Sequence, residues 1–218
     1  MPKLTIQILK REAQRFSQAE SNHREKSLFG VTDGKAVGAY LEHKFRNYLR
    51  AKYDFEEGSS ASGIDFPGLQ VDMKVTSVAQ LESDYPFRTA EQRIYGLEHS
   101  LLIFVYERSV NRKSKTIGLN ISHILFLTPN KTGDFQTTTG IRDVLKNDGN
   151  KDDLTAFMFD SRLLFDETEA GRLADEILSN PPQTGFLMTS NDLRWRLKYF
   201  GMLEQAGQGY EDVFIYKA

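Results

Sequence analysis

The chain is predicted to fold as an α/β protein, with a three-layer core of helices around a central sheet and a mainly helical C-terminal part. Three observations predict it. Apolar residues recur at three- and four-residue intervals over residues 35–52, as on one stripe of a helix. A Pro67-Gly68 turn then separates two short segments of strand character. Further on, Leu101-Leu102-Ile103-Phe104-Val105-Tyr106 is an unbroken apolar run, the pattern of a strand buried on both faces. A chain of 218 residues can bury a sizeable core. That core is assigned to residues 1–130 and the helical part to 131–218, either packed with the core as one domain or appended to it.

The first helix is placed at 35–52 by the stripe Val37, Tyr40, Leu41, Phe45, Tyr48 and Leu49, with Asp33 or Thr32 as its cap. Glu42 lies beside Leu41 at the edge of the stripe. From there it either pairs with Arg46 one turn on or reaches a polar site beside the sheet.

A β-hairpin follows. Alternation puts Gln70, Asp72 and Lys74 on one side of its second strand and Val71, Met73 and Val75 on the other. A two-residue loop sets Asp65 opposite Gln70 and diagonal to Asp72; a four-residue loop, which suits Pro-Gly better, sets it opposite Asp72. In the closer register the Cβ atoms are roughly 4.5–5.5 Å apart, so the two carboxylates repel unless a cation lies between them. Ser59, Ser60, Ala61, Ser62 and Gly63 are small enough to let another backbone approach.

The strand ends at 75–77, a polar loop runs through Pro86, and residues 89–97 read as a short helix carrying Gln92 and Arg93. The buried strand 100–106 leads through a turn with Arg108, Arg112, Lys113 and Lys115 to a strand at 117–127. Residues 128–140 read as a loop and 140–147 as a short helix broken by Asp148-Gly149-Asn150. Helices are expected at 152–159 and 166–178, the latter with Asp166, Glu167 and Glu169 at its positive end and stopped by Pro181-Pro182. A short strand at 185–189, a helix capped by Ser190 running to about 205 and a closing strand at 210–216 complete the chain. The Ser190 helix carries Arg194, Arg196 and Lys198 beside Trp195 and Tyr199.

Composition narrows the function. With 28 basic against 30 acidic residues, net −2, the chain is not one that coats nucleic acid, although a local basic cleft is compatible with that sum. No cysteine is present, which removes disulfides and thiolate chemistry; the four histidines show no metal-ligand spacing. Without a leader or an apolar run of about 18 residues, a cytoplasmic protein with no membrane partner is expected.

Taken together, Glu42 on a helix, Asp65, and the Asp72-Met73-Lys74 triplet resemble the PD-(D/E)XK nuclease superfamily, over about residues 34–107. Ile64 stands where that pattern carries a proline, its least chemical position. The resemblance implies a restriction endonuclease-like core with a mixed sheet. It also implies Mg²⁺, replaceable by Mn²⁺, held by Asp65, Asp72, the Met73 carbonyl and, through a water, Glu42. Asp65, Asp72, Lys74 and Glu42 become the catalytic residues, with Lys74 orienting the attacking water and offsetting charge in the transition state.

The implied activity is an endodeoxyribonuclease acting on double-stranded DNA as a type II site-specific restriction enzyme. A palindromic target would make it a homodimer. A structure-specific or repair nuclease, or a non-catalytic DNA-binding module, are the alternatives. DNA contacts are expected from Gln70, Gln92, Arg93, Arg112, Lys113, Lys115, Arg194, Arg196 and Lys198. Solvation of Gln70 and of the basic turn, a surface role for Gln92 and Arg93, and packing of the last helix stay open beside that reading.

Overall fold

Thr5 opens the first helix of the computed structural model, α1 (Ile6–Ser21), by accepting a hydrogen bond from the Ile8 N–H. The structure describes residues 1–58, 63–79, 82–84, 86–163, 166–189, 196–198 and 213–217. Helix α1 is additional to the expected elements; Leu9, Ala13 and Phe16 are its buried stripe. The stripe over 35–52 forms α2 (Gly34–Arg50), capped by Asp33, which accepts from the Lys35 N–H, and not by Thr32. Val37, Leu41, Phe45 and Leu49 are buried along it.

These two helices belong to a unit built from residues 1–83, 99–127 and 208–218. Its strands are β1 (Val71–Ser77), β3 (Ser100–Asn111), β4 (Thr116–Leu127) and β7 (Val213–Lys217); the short β2 (Glu82–Asp84) follows β1 at the boundary of the unit and is not part of this sheet. They form a mixed sheet in the order β1-β3-β4-β7, with β1 parallel to β3 and the other pairs antiparallel. The register puts Asp72 beside Leu101 and Lys74 beside Ile103.

Helix α1 packs on β4 and α2 on β1. Phe16, Phe45 and Phe104 meet between them, with ring centroids 5.0 Å apart for Phe16–Phe45 and 5.1 Å for Phe45–Phe104. Leu102, Phe104 and Tyr106 join this core, while Leu101, Ile103 and Val105, on the other face by alternation, are equally buried. The apolar run is therefore a strand covered on both sides, as its composition predicts.

A second unit comprises residues 84–98 and 128–207. It contains α3 (Ala90–Tyr95), α4 (Phe135–Lys146), α5 (Lys151–Asp160), α6 (Glu167–Ser179), β5 (Met188–Thr189) and β6 (Arg196–Lys198), β5 pairing antiparallel with β6. Ile94, Ile141, Leu154, Met158, Leu173 and Ile177 form its core.

Two expectations are corrected here. The loop at 128–140 already turns helical at Phe135, because buried Asp134 accepts from the Thr137 N–H and hydroxyl and so caps α4. The threonine run lowers helix propensity, but Thr137 and Thr138 are buried in that cap. Within the helix expected from Ser190 to about 205, residues 196–198 form strand β6; the remainder lies outside the described residues. Among the described residues no helix is long and apolar enough to cross a membrane.

One buried acid ties the first unit together. Glu12 on α1 is fully buried and accepts from Tyr48, Lys52, Tyr53 and Arg15. Burial works to raise its pKa, but the hydrogen bonds from Tyr48, Lys52 and Tyr53 and the Lys52 charge outweigh burial and hold it down to about 2. A carboxyl depressed from 4.5 to about 2 stabilises the fold above pH 4.5 and loses that contribution as pH falls toward 2. Glu12→Gln is therefore expected to lower the urea midpoint at pH 7, with the gap to wild type closing as pH drops below 4.5. A gap that stays constant across that range would contradict the role of the charge.

Candidate active site

Strand β1 lies at one end of the sheet, so one of its edges faces away from β3. Against that edge the chain makes a tight return. Phe66 and Val71 form a single antiparallel bridge around four residues, of which Pro67–Leu69 is a 3-10 turn and Gln70 is left-handed, with φ 52°. This is the longer of the two expected loops, and its register sets Asp65 opposite Asp72. The segment before the turn is not a ladder strand: it is held by this bridge and by the Gly58 N–H, which donates to the Asp65 carbonyl at 2.9 Å. Gly58 is required there, since a Cβ would collide with the Ile64 carbonyl oxygen.

The return aims the Asp65 carboxylate at the strand. Its Oδ2 accepts from the Met73 N–H at 2.9 Å and its Oδ1 from Arg46 Nη1 on α2 at 2.7 Å. Asp72 is buried and pairs with Lys74 Nζ at 2.8 Å, two residues on along the same side of β1. Burial and then the neighbouring Asp72 carboxyl raise the Asp65 carboxyl above its usual range, with the Met73 N–H and Arg46 pulling the other way.

Glu42 stands on α2 at the same place. Burial and the Asp65 charge raise its pKa, with Lys74 and Arg46 pulling the other way. Burial works to lower the Lys74 pKa, but the Asp72, Asp65 and Glu42 charges dominate and raise it. A cleft of about 610 Å³ opens over these groups, lined by Glu42, Arg46, Asn47, Arg50, Asp65 and Asp72 among others.

The structure thus brings together Glu42, Asp65, Asp72 and Lys74. The helical pair between Glu42 and Arg46 gives way to the Arg46–Asp65 ion pair. Among the described residues no group of three or more His, Cys, Asp or Glu side chains is placed to hold a metal ion by itself. The donor set nevertheless fits a hard cation. Asp65 and Asp72 offer hard carboxylate oxygens side by side, each paired with one cation, Arg46 and Lys74. Since the Met73 N–H points to the open edge of β1, its carbonyl, on the same side of an extended residue, points there too.

Other expected residues lie elsewhere. Gln70, being left-handed, leaves the alternation of β1 and is not on the Asp72–Lys74 side by strand geometry; its side chain donates to the Pro67 carbonyl. Gln92 accepts from the Arg88 N–H at the start of α3. Arg93 is buried in the second unit, donating to Thr137 and paired with Asp134, and so is not offered to a phosphate. Arg112, Lys113 and Lys115 are exposed at the β3–β4 turn, where Asn111 accepts from the Lys113 and Ser114 N–H groups. Arg194 lies outside the described residues, as do the side chains of Arg196 and Lys198.

Sequence reasoning did not single out Arg46, Asn47 or Arg50 as site residues. The signal for Arg46 and Arg50 is helical spacing: residues 42, 46 and 50 fall four apart, along one edge of the buried stripe.

The family described as Type II restriction enzyme NspV matches residues 3–212 of the chain. A protein of Nostoc sp. with that same description is 56% identical over 214 residues, covering 98% of this chain and 97% of that protein. No solved structure matches it.

Two outcomes are expected from this geometry. Gly58→Ala should cost about 1–3 kcal/mol in chemical denaturation, the usual cost of forcing atoms into a closed space, and an unchanged midpoint would refute the close approach. Glu42 has a raised pKa, so its ionisation weakens the fold as pH rises through that value. Glu42→Gln should melt higher than wild type at neutral pH, and the advantage should vanish below about pH 4.5, where the acid is protonated folded or unfolded. An equal advantage at both pH values would exclude the electrostatic cause.

Proposed function

The chain belongs to the NspV family of type II restriction enzymes, and from that membership we propose that it cuts both strands of DNA at one sequence, using Mg²⁺ seated between Asp65 and Asp72. Membership makes it an endodeoxyribonuclease. The observation carrying the finer reading is the convergence of Glu42, Asp65 and Asp72 on one polar cleft, with Lys74 paired to Asp72. Mn²⁺ meets the same oxygen donors and is expected to substitute.

Each group has a task set by its surroundings. Asp65 and Asp72, on the two sides of a four-residue turn, would hold the cation through carboxylate oxygens, with the Met73 carbonyl as a neutral donor. When bound, Mg²⁺ supplies Lewis acidity to the phosphodiester and lowers the pKa of an attacking water. Lys74, kept charged by three carboxylates, orients that water and offsets negative charge growing on the phosphoryl group. Glu42, with its raised pKa, sits where it can hold a proton or a water from the outer side of the site.

Several features support a restriction endonuclease-like core: a helix packed on the strand that bears the acids, that strand parallel to the next, and antiparallel neighbours beyond. In this reading residues 1–130 carry the chemistry and 131–218 contribute DNA contacts, together with the exposed Arg112, Lys113 and Lys115. A homodimer follows from a palindromic site, each copy cutting one strand.

Incubation with phage DNA and Mg²⁺ should yield discrete fragments whose sequenced ends share one motif. Ends without a common sequence, or cleavage confined to branched or mismatched DNA, would replace this proposal with the structure-specific reading. Asp72→Ala should abolish cleavage while duplex binding in Ca²⁺ persists, and Lys74→Ala should slow it by about 10²–10³-fold. Full activity of Asp72→Ala would discard the site.

A further inference from the structure

We propose that Arg46 is a stand-in for the metal ion: its guanidinium occupies Asp65 until a divalent cation displaces it, and the freed side chain then grips a phosphate of the bound duplex. The inference rests on the metal site proposed above. Of the two Asp65 oxygens, Oδ2 is already engaged by the Met73 N–H, and Oδ1 is the one that Arg46 holds at 2.7 Å. A cation that draws on Oδ1 competes with a full positive charge for it. The pair is mostly shielded from water, with 16% of the Arg46 and 15% of the Asp65 side chain exposed, so that competition is not screened away.

Arg46 cannot leave the neighbourhood when displaced. It is anchored on α2 one turn from Glu42, both residues line the same cleft, and His43 lies 3.4 Å from its Nη2. The charges also balance in the exchanged state. The cation takes over Asp65, and the guanidinium, having lost its carboxylate, faces a cleft that a polyanion must enter. Its planar fork suits two oxygens of one phosphate as well as it suits a carboxylate. Arg50, the next cation along the face, is held by Glu57 and by Asn47, so of these two α2 cations Arg46 is the one that metal binding itself releases.

Metal and DNA would then reinforce each other through one side chain. Cation binding frees a phosphate ligand, and a phosphate draws Arg46 away from the metal ligand. Metal affinity without DNA is the quantity Arg46 holds down, and DNA affinity with metal is the quantity it raises. A residue with a merely structural role would lower both or neither.

The test is calorimetric titration of Mn²⁺ into DNA-free protein, with wild type, Arg46→Met, Arg46→Gln and Asp72→Asn. Wild type should bind Mn²⁺ and Asp72→Asn should not. Arg46→Met and Arg46→Gln should bind it about tenfold more tightly, a factor equal to about 1.4 kcal/mol. With Ca²⁺ present, the same Arg46 variants should bind cognate duplex more weakly, the slope of log affinity against log salt falling by about one.

Unchanged or weaker Mn²⁺ binding in folded Arg46 variants overturns the stand-in role while leaving the site intact. Tighter Mn²⁺ with an unaltered salt slope overturns the transfer to phosphate. Absence of Mn²⁺ binding in wild type overturns the metal site itself. Side-chain NMR of the wild-type Arg46 guanidinium removes dependence on the variants: Mg²⁺ alone should free its hindered rotation and added duplex should restore it. Signals indifferent to saturating Mg²⁺ would refute the exchange.

Discussion

Carboxyl groups that repel one another must be forced together before they can share a cation, and here the force comes from one hydrogen bond and the turn behind it. The Met73 N–H, left over on the open edge of β1, donates to the Asp65 carboxylate. A strand with neighbours on both sides would have spent that N–H on a ladder, so the edge position of β1 is a condition for the site. The Phe66–Val71 bridge then sets the register, and a slip of one residue would turn Asp72 and Lys74 to the other side.

What withstands the repulsion is the packing beneath. Phe66 is buried beside Phe45, with ring centroids 6.5 Å apart, so the residue next to Asp65 is locked to the helix that carries Glu42 and Arg46. Phe45 also meets Phe104 on the strand beside β1. One aromatic cluster therefore holds the turn, the helix and the sheet in fixed relation beneath the polar cleft. Glu12 does the same for α1 on the far side of α2, through Tyr48, Lys52 and Tyr53.

The two acid networks show opposite uses of a buried carboxyl. Glu12 is supplied with donors, and its pKa falls to about 2. Asp65 and Glu42 have theirs raised first by burial and then by the acids beside them, although Arg46 pulls the other way. The first arrangement strengthens the fold at neutral pH and the second weakens it, the usual relation between a structural site and a functional one. Arg46 relieves part of that cost at Asp65 without removing the repulsion between Asp65 and Glu42.

Local pattern in the sequence determined much of this. The stripe of α2, a cap at Thr32 or Asp33, the double burial of the run at 101–106 and the placing of Asp72 and Lys74 on one side of a strand are readable from spacing and residue type, because these are effects of near neighbours along the chain; Glu42 is singled out only through the family resemblance. Only the tertiary structure decided the rest. It turned Arg46 from a helical partner of Glu42 into the partner of Asp65, nineteen residues away. It took Arg93 into a core with Asp134, forty-one residues on, and started α4 five residues early because a buried aspartate capped it. Each of those outcomes depends on which distant charge or donor the fold delivers to a side chain. Periodicity records the face on which a residue lies but carries no information about what will stand opposite.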